Sequence, residues 1–397
     1  MPALQGLTVV TLEHAIAAPF ATRQLADLGA RVIKIERPGV GDFARGYDQR
    51  VKGLASHFVW TNRSKESLTL DLKHPRAAAL LLRLIVEQAD VVVQNLAPGA
   101  AARLGVSWDA LRPERPDLIV CDISGYGDDP ATPGPYRDKK AYDLLIQSES
   151  GFVGITGTPE EPSKAGISIA DIAAGMYAYS NILAAVIERQ RTGQGRRIDL
   201  SMLEAMAEWM GYPLYYAFDG APPPPRAGAA HATIYPYGPF PCGCGKTVML
   251  GLQNEREWVQ FCEKVLLQPA LARDERFAGN AKRSAQRELL RTIIVEAFAA
   301  LTAQQVVARL EAAQIASAEL RDMAGLWQHE QLAARGRWRA VDTPAGPVPA
   351  LLPPGLAGSD TPRMDAVPAI GAQTDAILQA LGVDADERAA LRAAGAI

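Results

Sequence analysis

Residues 7–36 read LTVVTLEHAIAAPFATRQLADLGARVIKIE, and this stretch decides the fold. LTVVTLE (7–13) is a short apolar, β-branched run, which reads as a buried strand. A helical stretch from about Pro19 to Leu28 follows, and ARVIKIE (30–36) reads as a second strand. Strand, helix and strand in about thirty residues make a βαβ opening. The second strand ends at Glu36, where a dinucleotide-binding fold places an acid for a ribose. The preceding connection, EHAIAAPFA (13–21), lacks the glycines that let backbone approach a pyrophosphate. This argues against an NAD site.

The alternation continues. DVVVQN (90–95), DLIVCDIS (117–124) and RRIDLSM (196–202) read as strands, and PRAAALLLRLIVEQA (75–89) as a helix. The class is therefore α/β with a mostly parallel sheet. The pattern changes after about residue 205. EAMAEWMGYPLYYAF (204–218) reads as helix or linker, and APPPPRAG (221–228) as a break. A hairpin and helix over GPFPCGCGKTVMLGLQNEREWVQFCEKVL (238–266) and alanine-rich helices over about 285–315 follow. WRAVDTPAGPVPALLPP (338–354) is strand-like and the tail is helical. The expected division is a large domain over 1–205, a linker over 206–225, a small α+β domain over 226–330, and a return to the large domain over 331–397.

The chain has 397 residues, 48% hydrophobic and 21% charged, with a net charge of −3. That balance belongs to a soluble globular protein and gives no basic face for nucleic acid. A polyanionic ligand would need a local cluster of Lys and Arg. No basic segment followed by an apolar run opens the chain, and no stretch offers about 20 uninterrupted apolar residues for a membrane span. The four cysteines are sparse for the length, which fits a reducing cytoplasm. Cys242-Gly-Cys244, with His231 and Cys262, invites a metal reading, but the spacing matches no usual zinc pattern. A turn, PCGCGK (241–246), is the expectation, with no metal.

Basic residues recur beside predicted element ends: Arg37, Lys73, Arg103, Lys139 and Lys140. Lys73 precedes a helix whose first turn carries Pro75, a plausible phosphate seat. Asp171 is the other conspicuous charge. It stands in KAGISIADIAAGMYAYSN (164–181), with no other acid or base between Lys164 and Glu188. Local sequence allows two roles: a cap for a helix from Ile172 to about Arg191, stopped by Gly193, or a reactive carboxylate in apolar surroundings.

IERPGVGD (35–42), LTLDLKHP (68–75), NLAPGAAARLG (95–105), ISGYG (123–127), KKAYDLLIQSESG (139–151), SIADIAAGMYA (168–178), RTGQGRRIDLSMLEA (191–205) and VPAIGAQTDAIL (367–378) occur in this order. As an ordered set they resemble the class III CoA-transferases, the family of formyl-CoA transferase and carnitine CoA-transferase. The resemblance implies a Rossmann-like large domain, a smaller domain, and two chains interlocked as a homodimer. It implies coenzyme A or acyl-CoA as co-substrate and no tightly bound cofactor. Asp171, in GISIADIAAG (166–175), takes the nucleophile's place in a GxxxxDxxxG setting. Arg37, Leu70, Asp71, Leu72, Lys73, Asn95, Leu96, Arg103 and Lys140 take the places of CoA contacts.

One position departs. Formyl-CoA transferase has a glutamine two residues after its early histidine, whereas here His14 is followed by Ala15 and Ile16, which argues against a formate or oxalate pocket. The related α-methylacyl-CoA racemases carry a histidine before an aspartate, where this chain has Tyr142 in KAYD. Tyrosine, with a pKa of about 10, is a poor proton shuttle at neutral pH. That favours CoA transfer over racemisation. A non-catalytic CoA-binding protein, which would keep the basic residues but not need Asp171, is the third alternative. HATIYPYGPF (231–240) and GLQNEREW (251–258) resemble the subgroup handling itaconate, mesaconate and citramalate with succinyl-CoA. His14, Tyr142, His231 and Tyr237 are the substrate candidates, and Arg45 and Arg226 join His231 and Tyr237 as candidates for a second carboxylate.

Overall fold

The computed structural model describes residues 2–356 and 360–397. The chain forms two compact units, 1–150 with 165–211 and 334–397, and 151–164 with 212–333.

The first unit is built on six parallel strands: β1 (Thr8–Leu12), β2 (Arg31–Glu36), β3 (Lys65–Thr69), β4 (Val91–Gln94), β5 (Ile119–Ser124) and β6 (Arg197–Ser201). Their spatial order is β3-β2-β1-β4-β5-β6, that of a doubly wound nucleotide-binding fold. The central strands are covered on both faces, so they read as unbroken apolar runs rather than alternations. Val10, Ile33, Val92 and Val120 pack with Leu81, Leu84 and Ile85 of helix Pro75–Gln88 and with Ile377 and Leu378 of the C-terminal return.

β3 gives no such run. Its sequence is KESLT, yet four of its five residues are buried. Buried partners satisfy its polar side chains: Lys65 Nζ donates to Glu13 (2.6 Å) and Ser67 Oγ to Glu36 (2.6 Å). The return segment covers its outer edge, where Gln373 Oε1 accepts from Ser67 N (2.8 Å) and Thr374 Oγ1 from Thr69 N (3.0 Å).

Helix Ile169–Thr192 packs on helix Ala17–Asp27 through a glycine. A Cβ on Gly175 would stand 2.7 Å from the Ala17 carbonyl and 2.9 Å from Phe20. Gly175→Ala should therefore destabilise by about 1–3 kcal/mol despite alanine's better helix propensity. A fall in the urea midpoint checks this, and an unchanged midpoint would contradict the close packing. The helix stops at Gly193 in the left-handed conformation (φ 71°), as expected. By length and composition it could cross a membrane, but Ala173, Ala174, Ala178 and Ile182 are buried in this unit. Arg189 near its end pairs with Asp90 (3.1 Å).

The second unit holds an antiparallel sheet of β7 (Tyr237–Pro241), β8 (Thr247–Gly251) and β9 (Ala316–Glu319), in the order β7-β8-β9. Phe240, Val248 and Leu250 pack on Trp258, Phe277, Ile294, Phe298 and Leu310. PCGCGK is the β7–β8 turn, and the Cys244 thiol accepts from Ala303 N (3.3 Å). β10 (Trp338–Val341) and β11 (Val348–Leu351) form a separate hairpin in the first unit.

The division differs from expectation in two places. The boundary falls after 211, so 212–225 belong to the second unit rather than to a separate linker, and helices Met202–Trp209 and Gly211–Tyr216 lie around it. Residues 151–164 belong to the second unit, where Gly154, Thr158 and Pro159 offer their carbonyls to the Arg226 guanidinium (3.3, 2.9 and 2.8 Å).

Candidate functional site

In this topology the strand order reverses between β1 and β4, and the carboxyl ends of the strands at such a reversal are where doubly wound sheets bind ligands. The connection after β1 carries His14 and Ala15, and the one after β4 carries Asn95. The two are locked together: His14 N donates to Asn95 Oδ1 (2.9 Å) and Asn95 Nδ2 donates to the His14 carbonyl (2.9 Å). Asp42, after β2, accepts from Ala15 N (3.2 Å) and from the fully buried Lys34 Nζ (2.7 Å). The His14 ring stacks on Phe43 (5.0 Å), Phe43 meets Tyr47 (5.8 Å), and Tyr47 meets His57 edge-on (5.5 Å).

Asp171 lies in the first turn of helix Ile169–Thr192, but it is not the cap. Ser168 holds the N-cap position and Asp171 is the third helical residue. The acceptor for the first-turn amides comes from another helix, Asp143–Glu149. Asp143 Oδ1 accepts from Ala170 N (2.9 Å) and Asp171 N (3.3 Å), and its Oδ2 accepts from Gln147 Nε2 (2.6 Å). Burial, and then the nearby Asp143 carboxylate, push Asp171 up to about 7. Asp171 is partly exposed, and Asp143 takes the first-turn amides of Ala170 and Asp171. A carboxylate so shifted is a stronger nucleophile than one in water.

Tyr47 ties the site together. Burial, then the charges of Asp42, Asp171 and Tyr142, push its phenol up to about 12, so all three groups lie within electrostatic reach of one hydroxyl. His14, Tyr142 and Asp171 thus share one neighbourhood. Tyr47 and Asp143 belong to it without having been singled out from sequence. Asp143 was legible as an acid opening a helix in KKAYDLL, but nothing local says which amides it meets.

The other nominated residues mostly follow the carboxyl ends of the strands: Arg37 after β2, Leu70 to Lys73 after β3, and Asn95, Leu96 and Arg103 after β4. Lys140 lies between β5 and helix Asp143–Glu149. Arg37, Lys73, Arg103 and Lys140 are exposed, as cations awaiting a soluble polyanion would be. Leu70 has a buried side chain, and its amide donates to the Glu36 carbonyl (2.9 Å), so it can offer a ligand only its backbone oxygen. Lys139 is paired with Glu149 and lies over the Tyr136 ring (4.5 Å).

Three nominations change. Arg45 is spent on a two-pronged pair with buried Glu36 (2.9 and 2.7 Å) and lies 3.6 Å from the Phe58 ring centroid, so it is no free carboxylate anchor. The same pair removes Glu36 from any ribose-binding role. Arg226 is committed to three carbonyls. In the second unit, His231 stacks on Tyr237 (5.3 Å), and its Nδ1 accepts from Thr233 N (3.2 Å) and Ile234 N (3.0 Å). That makes His231 a turn-former through Nδ1.

The sequence matches the profile of CoA-transferase family III over residues 4–374. The chain belongs to CoA-transferase family III. Among curated family members, it is 35% identical over 344 residues to a succinate–glutarate CoA-transferase of Agrobacterium fabrum, covering 84% of each chain. It is 34% identical over 352 residues to a succinyl-CoA:mesaconate CoA-transferase of Haloarcula hispanica, covering 87% of each. Its fold is similar to a CaiB/BaiF family protein from Brucella suis, with a TM-score of 0.83 and 31% identity, covering 96% of this chain and 99% of the other. As a family III CoA-transferase it takes CoA thioesters as co-substrates.

Proposed function

We propose that this chain moves CoA from succinyl-CoA to a C5 dicarboxylic acid such as mesaconate, itaconate or citramalate, with Asp171 as nucleophile. The observation that carries the reading is the Asp171 carboxylate in the first turn of helix Ile169–Thr192, where burial and the neighbouring Asp143 raise its titration. Asp171 attacks the thioester carbonyl, and the C–S bond breaks to release CoA thiolate and leave an aspartyl–acyl anhydride. The thiolate then attacks the aspartyl carbonyl, expelling the donor acid and forming an aspartyl-CoA thioester. The acceptor carboxylate attacks that thioester, giving a second anhydride and free thiolate. Attack of the thiolate on the acceptor carbonyl yields the new acyl-CoA and restores Asp171. Each step exchanges one acyl bond for another, so no net proton is needed, and a single hard exchange is divided into easier ones.

Two of the relatives are named for dicarboxylates with succinyl or succinate as the other acid, which supports the substrate class. The test is a panel of glutarate, mesaconate, itaconate, citramalate, oxalate, formate and straight-chain monocarboxylates with succinyl-CoA as donor. The expected result is transfer fastest to a C5 dicarboxylate. Transfer confined to monocarboxylates would sink the dicarboxylate assignment. Hydroxylamine trapping with acyl-CoA should mark Asp171 by mass.

The working form we infer is a cytoplasmic homodimer. The four cysteines are free thiols, as a reducing compartment allows. Exposed Leu144, Leu145, Ile167 and Trp209 of the first unit and Tyr215 and Phe218 of the second are apolar surface suited to a second copy. Sedimentation velocity should read the mass of two chains, and a monomer at micromolar concentration would contradict the inference.

A further inference from the structure

The turn after β1 contains a residue in a conformation that its side chain disfavours. Ala15 has φ 61°, in the left-handed region that costs a residue with a Cβ about 1–2 kcal/mol. Such a residue persists where its surroundings over-determine it, and such places cluster at functional sites. Here three successive backbone groups are pinned by side chains. Asn95 holds His14 N and the His14 carbonyl (both 2.9 Å), and Asp42 Oδ1 holds Ala15 N (3.2 Å).

Asp42 is built to do this. It is fully buried, takes Lys34 Nζ on Oδ2 (2.7 Å), and takes Ala44 N on the same Oδ1 that meets Ala15 (2.9 Å). Oδ1 also faces His14 Nδ1 at 3.7 Å. The turn lies toward Asp171. Gly175, one helical turn beyond Asp171, meets the Ala17 carbonyl, and Met176 Sδ accepts from Gln24 (3.5 Å). The first contact ties the start of helix Ala17–Asp27, two residues after Ala15, to the helical turn that follows Asp171.

We propose that Asp42 is a positioning residue for CoA transfer: it holds the His14–Ala15 turn in its strained form, as a rigid wall of the acceptor-acid site. This rests on the reading of Asp171 as nucleophile. The acyl-CoA donor carries its own long handle, gripped at the ends of β2, β3 and β4. The small acid has only the walls near the carboxylate, so a loosened wall weakens the acid selectively.

The test compares wild type, Asp42→Ala, Ala15→Gly and the double variant, with both Michaelis constants measured. Wild type must first transfer CoA and be trapped at Asp171; failure there overturns the functional reading itself, whatever Asp42 does. Given an active wild type, Asp42→Ala should raise the acceptor's KM about tenfold and leave the acyl-CoA KM within about twofold. Glycine adopts the left-handed form without strain, so adding Ala15→Gly should recover at least about half of that loss on a logarithmic scale. Equal rises in both constants, or no recovery in the double variant, would overturn the proposal. If Asp42→Ala leaves Lys34 with only its longer contact to Glu13 (3.4 Å) and does not fold, Lys34→Met with Asp42→Ala removes both members of the pair together. It is then compared with and without Ala15→Gly, and the same two outcomes decide.

Discussion

Asp171→Asn is expected to lower kcat by about 10⁴-fold or more, because the variant has no carboxylate to form the anhydride. Deamidation back to Asp must be excluded by mass. Hydroxylamine with acyl-CoA should then leave the variant unmodified. In wild type, kcat/KM should rise with pH and level off above about 7, where burial and Asp143 have pushed the Asp171 titration. The same shift has a consequence for stability. Its sign follows from proton counting: between about pH 4 and 7 the folded state holds a proton that the unfolded state has released. Stability contributed by protonated Asp171 is therefore lost as pH rises through about 7. Asparagine cannot ionise, so the inactive variant should be more thermostable than wild type at pH 8, with the gap closing toward pH 4. Melting curves at the two pH values check this. A gap independent of pH would show that the ionised carboxylate carries no folded-state cost, and an active, undeamidated Asn variant would remove Asp171 as nucleophile.

Glu13→Ala is expected to be the most destabilising single change in the first unit, by about 3–5 kcal/mol. Glu13 is fully buried at the end of β1 and accepts four hydrogen bonds, from Thr11 (2.9 Å), Thr22 (2.6 Å), Lys34 (3.4 Å) and Lys65 (2.6 Å). Burial alone would push its carboxyl up, but Lys65 and Lys34 outweigh it and hold the group below the usual carboxylate range. Burial pushes Lys65 down to about 7, with Glu13 opposing the fall. Removing Glu13 leaves Lys65 without its charge partner and Lys34 with Asp42 alone. A lysine lowered in the folded state costs stability below its folded titration, and that cost fades as pH rises toward the unfolded value. Without Glu13 the Lys65 titration falls further, so the two folded proteins differ in bound protons only below about 7. The loss in Glu13→Ala should therefore shrink as pH rises toward about 7 and stay level above it, as urea unfolding at about pH 5.5, 7 and 9 would read. Glu13→Gln, which keeps an acceptor for Thr22, should fall between. A loss under about 1 kcal/mol at pH 7 would show that the network does not support the sheet.

Much of the fold was open to reading along the chain because its central strands are apolar on both faces and its helices are amphipathic. β1, β2, β4 and β5 lie within a residue or two of where their apolar runs place them. β3 was not legible, because KESLT looks like a surface segment until Glu13, Glu36 and the return segment at 373–374 supply its partners from elsewhere. The span 204–218 reads as helix or linker along the chain, and helices Met202–Trp209 and Gly211–Tyr216 lie there.

At the site, residue type alone marked Asp171 as an acid in apolar company, and its order among the other motifs placed the chain in its family. Sequence could not separate capping from chemistry, because both roles ask for an aspartate at the start of a helix. The tertiary structure shows that Asp171 is not the cap: Ser168 holds that position, and Asp143 meets the first-turn amides and sets a like charge near Asp171. Arg45 and Arg226 show the converse: as letters they could be substrate anchors or structural cations, and their partners are Glu36 and three backbone carbonyls. The chain alone therefore determined the parallel α/β frame, the family and the acid at the helix start, since these follow from local periodicity and motif order. The pKa of that acid, the strained turn beside it and the buried charges beneath both were decided by tertiary structure. They depend on distances between residues tens of positions apart, and electrostatic energies in a dry interior are set by those distances.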